Sequence, residues 1–259
     1  MSRELEAAIA VAEAAGRLQR ARFRRRTRVE LKADDTPVTA VDRDSEALIR
    51  EALAEALPEA GFLGEESASS EEAAAPTVRT RWIVDPLDGT KKFVRGLPFF
   101  GPCIALERAG DLVLGVMHLP MLRETVWAER GGGAFLNGRP IHVSDQVRLD
   151  RAYVTYSSEA EFYRRGWAAR LERIIGGSYH NPGFLDLYSY VCLAAGRVDA
   201  VINIGEAPWD IGAARVILEE AGGRLTDFTG TATVYGGTTL ATNGALHSAL
   251  MGTLEPRTT

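Results

Sequence analysis

Apolar positions along the chain follow two periods, and the switch between them divides it into elements. Leu5, Ala8, Ile9, Ala12, Ala15 and Leu18 recur at helical spacing, which predicts a first helix from near Arg3 into an arginine-rich stretch. A loop with Lys32, Asp34, Asp35 and Pro37 follows. Thr39 and Asp42 have the i, i+3 spacing of a capping box. They open a second helix with an apolar face at Ile49, Leu53 and Leu57, stopped by Pro58. The run from Ser67 to Thr80 has no period and reads as an exposed loop.

Trp82-Ile83-Val84 is a short buried strand that feeds into Asp85-Pro86-Leu87-Asp88-Gly89-Thr90. Further strands are predicted at Cys103–Glu107, Leu112–His118 and Thr125–Ala128. Asn137-Gly138 is placed at a hairpin turn. Beyond a boundary near Asp145–Arg151 the pattern alternates: a strand at Val154-Thr155, helices at Glu159–Ile175 and Leu185–Ala195, a strand at Ala200–Asn203, and a helix at Pro208–Ala221. Pro at the start of that last helix and Gly222 beyond it match the usual asymmetry of helix ends. The layout is α/β in the wider α+β sense: residues 1–148 form one half with mainly antiparallel strands, and residues 149–259 form an α/β half.

Composition narrows the function. An apolar fraction of 46% and a charged fraction of 25% are ordinary for a globular protein, and the formal net charge of −5 argues against general affinity for nucleic acid or an anionic membrane. No apolar run approaches the roughly 20 residues of a membrane span. The N-terminus does not read as a signal peptide, so a cytoplasmic location is expected. Cys103 and Cys192 are expected to be buried free thiols. The seven arginines between Arg17 and Arg28 are the one candidate nucleic-acid patch, but without interleaved aromatics they read as a solvated helix end. His118, His142, His180 and His247 are assigned no metal.

Carboxylates carry the candidate chemistry. A buried strand delivers Asp85 and Asp88 across a proline-stiffened turn, a spacing that lets one acid bridge two hard cations while the other serves one of them. Gly89 and Thr90 then open a short helix whose free N–H groups suit a phosphate. Glu65 and Glu66 follow an apolar pair, and Asp210 sits in the first turn of an apolar helix. Taken singly, each has an ordinary explanation as turn, surface or cap.

Their order and spacing change that judgement. Thr39-x-x-Asp42, Gly64-Glu65-Glu66, Asp85-Pro-Leu-Asp88-Gly-Thr90 and Pro208-Trp209-Asp210, with the 131–138 hairpin and Glu220-Ala-Gly-Gly223, resemble the inositol monophosphatase family over nearly the whole chain. The resemblance implies a layered α-β-α-β-α sandwich, a homodimer, lithium sensitivity, and hydrolysis of a small phosphate monoester with two or three Mg²⁺ per active site. It assigns Glu65, Asp85 and the Leu87 carbonyl to one metal, and Asp85, Asp88 and Asp210 to a second. It places the phosphate on Gly89 and Thr90, and the attacking water against Glu65 or against Thr90 backed by Asp42. It puts Asp88, Asp186, Asn203, Glu206 and Asp210 around the substrate.

Two departures bear on the substrate. Lys92 stands where the family commonly has asparagine, and Asn203 stands where inositol-specific members commonly place a glutamate. Asp85–Gly96, Asp186-Leu-Tyr-Ser-Tyr190 and Gly196-Arg-Val-Asp199 resemble the histidinol-phosphatase branch, although Asn181-Pro182 does not fit it. Histidinol phosphate is therefore the expected substrate, ahead of inositol monophosphate and other sugar phosphates. The non-enzymatic alternatives are a metal-binding scaffold and a nucleic-acid binder using Arg17–Arg28.

Overall fold

A computed structural model describes residues 1–32, 36–69, 79–183 and 186–254. Asp34, Asp35, Leu185 and most of the Ser67–Thr80 loop lie outside the described residues. Helix α1 (Arg3–Arg22) and helix α2 (Ala40–Ala56) flank the short hairpin β1 (Val29–Leu31) and β2 (Pro37–Thr39). A seven-stranded sheet follows in the order β3 (Gly61–Gly64), β4 (Arg81–Asp88), β5 (Gly101–Arg108), β6 (Asp111–Leu119), β7 (Glu124–Glu129), β8 (Ala134–Leu136) and β9 (Arg139–Ile141). Helix α3 (Thr90–Val94) lies between β4 and β5. Only β3 and β4 pair in parallel; the remaining neighbours are antiparallel.

The second sheet has the order β10 (Val154–Tyr156), β11 (Ala200–Ile204), β13 (Thr238–Thr242) and β12 (Arg224–Thr226). Helices α4 (Glu159–Arg164), α5 (Ala168–Gly177), α6 (Leu187–Ala194), α7 (Pro208–Glu220) and α8 (His247–Leu254) complete the described chain.

Three apolar clusters set the layers. Leu5, Val11, Ile49 and Leu53 of α1 and α2 meet Trp82, Ile104 and Val116 on one face of the large sheet. Its other face, with Ile83, Ala105 and Met117, packs on α6 and α7 through Val191, Ile211 and Ile217, and these helices also meet Val201 and Ala241 of the small sheet. Phe162, Ile174 and Leu250 cover the outer face of the small sheet at Val154, Ile202 and Leu240. The result is the α-β-α-β-α sandwich. Helix α7, from the C-terminal half, closes the sheet of the N-terminal half, where Gly115 approaches so tightly that a Cβ would lie 2.4 Å from the Ala213 carbonyl. Among the described residues no helix is long and apolar enough to cross a membrane. Both cysteines are buried and free.

The structure corrects the sequence reading in two places near the cleft. The strand expected to end at Val84 continues to Asp88: Asp85 pairs with Cys103 and Asp88 with Gly101, and the register shifts between them. The helix expected over Glu159–Ile175 is two helices. Gly166, at φ 75°, breaks it between Arg164 and Ala168, a conformation glycine adopts without steric cost.

His247 gives a pH-dependent lock on the outer layer. Its ring sits between Thr226 Oγ1 (3.1 Å from Nε2) and Thr242 Oγ1 (3.1 Å from Nδ1). Thr226 gives its own proton to the Asp227 carbonyl, so Nε2 donates to it and Nδ1 accepts from Thr242. Burial, aided by the charge of Arg224, pushes the imidazole down to about 4. The unfolded chain takes up a proton near pH 6.5 that the folded one refuses, so stability is full above that pH and declines towards pH 4. His247→Gln is expected to shrink the difference in Tm between pH 7.5 and pH 5; thermal melts at both values check it.

Candidate metal and phosphate site

The carboxylates converge because three separate chain segments end at one cleft. Glu65 follows β3, with its backbone N–H bonded to the Val84 carbonyl at 3.1 Å. Asp85 and Asp88 lie either side of the shifted register in β4. Asp210 is the third residue of α7 and caps it, accepting from the Ala207 N–H at 2.6 Å. Glycine is required at two approaches. A Cβ on Gly64 would lie 2.4 Å from the Glu46 carboxylate, and Gly89, at φ 86°, would bring one within 2.6 Å of the Phe99 carbonyl.

The cleft has a volume of about 930 Å³. Its floor is formed by Glu65, Asp85, Leu87, Asp88, Gly89, Thr90 and Asp210. Its far wall includes Ser157, Asp186, Asn203 and Glu206. Asp42 is fully buried beneath it. One Asp42 oxygen closes the capping box with the Thr39 N–H (2.8 Å) and hydroxyl (2.6 Å), and the other accepts from the Thr90 hydroxyl at 2.8 Å. The Thr90 hydroxyl also lies 3.1 Å from the Leu87 carbonyl.

Electrostatics at the floor are unfavourable without a cation. Burial, and then the charges of Glu65, Asp88 and Asp210, raise Asp85 well above the usual aspartate range. Asp88 is raised by burial and by Asp186, Asp210 and Glu206; Asp210 is raised by burial, Glu65 and Glu206. Lys32 bridges Glu65 and Glu66 at 2.7 Å to each. Burial pushes its ammonium down, and the two glutamates more than offset this. Among the described residues no three His, Cys, Asp or Glu side chains are turned onto a single point. Lys32 holds Glu65, backbone N–H groups hold Asp85 and Asp210, and Lys92 pairs with Asp186. The donor set itself is all oxygen: four acids and the Leu87 carbonyl. It is crowded enough that protonation or a hard cation relieves it, which suits Mg²⁺.

The residues named from sequence therefore line one cleft, except Asp42, which acts from below. Sequence reading gave no role to Lys32, Glu161, Arg164 or Arg165. Glu161 Oε1 and Oε2 take Arg165 and Arg164 at 2.6 Å each, and the Arg165 guanidinium lies over Gly205 at the rim. Lys32 was legible only as a charge in a loop, and the two arginines were hidden in what read as a continuous helix. In the arginine stretch Arg22 is paired with Asp44, and Arg24 donates to the Gly96 carbonyl.

Comparison with known proteins agrees with this layout. The family model described as "Inositol monophosphatase family" matches residues 1–258. The chain belongs to the inositol monophosphatase family. A histidinol-phosphatase of Mycobacterium tuberculosis is 37% identical over 97% of this chain and 98% of its own length. One from Chlorobaculum parvum is 37% identical over 92% of this chain and 90% of its own. The crystal structure of the extragenic suppressor protein suhB from Bartonella henselae superposes with a TM-score of 0.90 at 31% identity, covering 98% of this chain and 99% of that one. This inositol monophosphatase family member is accordingly a phosphoric monoester hydrolase.

Proposed function

We propose that the protein hydrolyses histidinol phosphate to histidinol and inorganic phosphate, with two or three Mg²⁺ held by Glu65, Asp85, Leu87, Asp88 and Asp210. The observation that carries the metal reading is the mutual destabilisation of Asp85, Asp88 and Asp210 in one cleft beside Glu65. Mg²⁺, when bound, supplies positive charge that acidifies water and stabilises oxygens on which negative charge develops.

The chain's own groups do the rest. Asp42 takes the Thr90 hydroxyl proton in a hydrogen bond, which leaves the Thr90 oxygen lone pairs to orient the attacking water. Glu65, which Lys32 contacts through Oε1, lines the same cleft and is placed to accept a proton from that water. Gly89 and Thr90 hold the phosphate through their backbone N–H groups. Asp88, Asp186, Asn203, Glu206 and Asp210 surround the alcohol. The histidinol reading is supported by the acidic far wall, by the branch motifs around Asp85–Gly96 and Asp186–Tyr190, and by the absence of an acid at 203. Further parts of the proposal are a cytoplasmic homodimer, inhibition by lithium at a magnesium position, two halves (1–148 and 149–259) sharing one cleft, and no nucleic-acid or membrane partner.

The test is kcat/KM for histidinol phosphate, inositol 1-phosphate and glycerol 2-phosphate at saturating Mg²⁺. Histidinol phosphate is expected to lead, and a large preference for inositol 1-phosphate would refute the substrate assignment. Thr90→Ala removes an orienting hydroxyl and no metal ligand. It is expected to lower kcat roughly tenfold, short of the 10²–10⁴ supplied by a full general base; steady-state kinetics on the same esters read it.

A further inference from the structure

Three polar side chains on the far wall face the alcohol end of a substrate, and their hydrogen bonds separate their roles. Asn203 is 1% exposed, and both protons of its amide are committed within the protein. Its Oδ1 accepts from the Ser157 N–H at 2.8 Å. The two protons on Nδ2 go to Glu206 Oε1 at 2.8 Å and to the Tyr190 hydroxyl oxygen at 3.1 Å. Asp186, held at a positive φ of 43°, is neutralised by Lys92. Arg164 and Arg165 at the rim share Glu161.

Glu206 differs from all of these. Its hydrogen-bonding partners are the Tyr190 hydroxyl, 2.7 Å from each oxygen, and the Asn203 amide; the Thr239 hydroxyl also stabilises its charged form, and all three groups are neutral. Among the described residues no lysine or arginine forms an ion pair with it. A carboxylate offers about four acceptor positions, and one phenolic, one amide and one threonine hydroxyl proton fill at most three of them. The remaining capacity lines the cleft in a neutral frame, and burial raises the Glu206 carboxyl, an effect that an incoming cation offsets.

We propose that Glu206 is the specificity-determining residue, selecting phosphate monoesters whose alcohol carries an ammonium or imidazolium group, with Asn203 and Tyr190 as positioning residues. The proposal rests on the hydrolysis proposed above and assigns its selectivity to one side chain. Asn203 holds Glu206 in place through its amide.

The experiment compares kcat/KM for O-phosphoethanolamine, a cationic ester, with that for glycerol 2-phosphate, a neutral one, at saturating Mg²⁺. In Glu206→Gln the cationic-to-neutral ratio is expected to fall at least about tenfold, as for loss of a charge-assisted hydrogen bond. In Tyr190→Phe, which loosens the frame and keeps the ring, KM for the cationic ester is expected to rise about threefold, lowering the same ratio. A ratio within about twofold of wild type in a Glu206→Gln protein that melts cooperatively overturns the proposal. If that variant does not fold, an unchanged ratio in Tyr190→Phe overturns it. A wild type that prefers inositol 1-phosphate refutes the histidinol assignment while the ratio still reads Glu206. A wild type that releases no phosphate from any ester overturns both.

Discussion

Replacing Asp88 or Asp210 by asparagine is expected to lower kcat about a hundredfold or more while raising the Tm of the metal-free protein. The two effects share one origin. Each acid is half-buried among other acids, which keeps its ionised form at high energy. The fold tolerates that repulsion, and a bound cation converts it into affinity. Asparagine keeps the shape and removes the charge, so the empty site relaxes; about 1 kcal/mol of relief would raise Tm by roughly 2–4 °C in a chain of this size. The same change weakens a charge clamp that supplies several kcal/mol to the transition state, and a hundredfold loss corresponds to about 2.7 kcal/mol. Steady-state kinetics with Mg²⁺ and melting curves without it read the two halves separately. Near wild-type turnover at saturating Mg²⁺ in either variant would remove that residue from the metal site.

Mg²⁺ is expected to raise Tm, and to raise it more at pH 8 than at pH 5.5. The acids at Asp85, Asp88 and Asp210 have raised folded-state pKa values, so the folded chain holds protons that the unfolded chain has released. Their contribution to stability is present at low pH and is lost as pH rises from about 4 through the raised values. Mg²⁺ competes with those protons, so its stabilisation grows across the same range. At one hundred times its dissociation constant the gain is about 2.7 kcal/mol. Paired melts with and without Mg²⁺ at each pH cancel the opposite trend expected from His247. An equal Mg²⁺ shift at both values would mean that the ion does not bind these acids.

The parts of the site legible in the sequence are those carried by local spacing. Thr39 and Asp42 announce a cap, and the structure uses the second oxygen of Asp42 to hold Thr90. Asp85 and Asp88 are legible because a buried strand and a proline bracket them, although the strand runs four residues further than periodicity indicates. What was hidden depends on contacts between distant segments. The Lys92–Asp186 ion pair joins α3 to the start of α6, and no spacing rule connects residues so far apart. The Tyr190–Asn203–Glu206 frame is equally silent, since each residue has an ordinary place on a helix, a strand or a loop. Strands β12 and β13 and helix α8 also escaped, because Arg224–Thr226 is too short for a period and the Thr-rich β13 lacks alternation. The break at Gly166 left a visible signal in the glycine itself, which the strong apolar period on either side outweighed.

The central claim is that this cleft hydrolyses a phosphate monoester only with Mg²⁺ on its carboxylates. Phosphate release from histidinol phosphate, followed in chelator and then through a Mg²⁺ titration, tests it most directly. The account predicts no turnover in chelator and saturable recovery as Mg²⁺ is added. Full turnover with every divalent ion removed would contradict it.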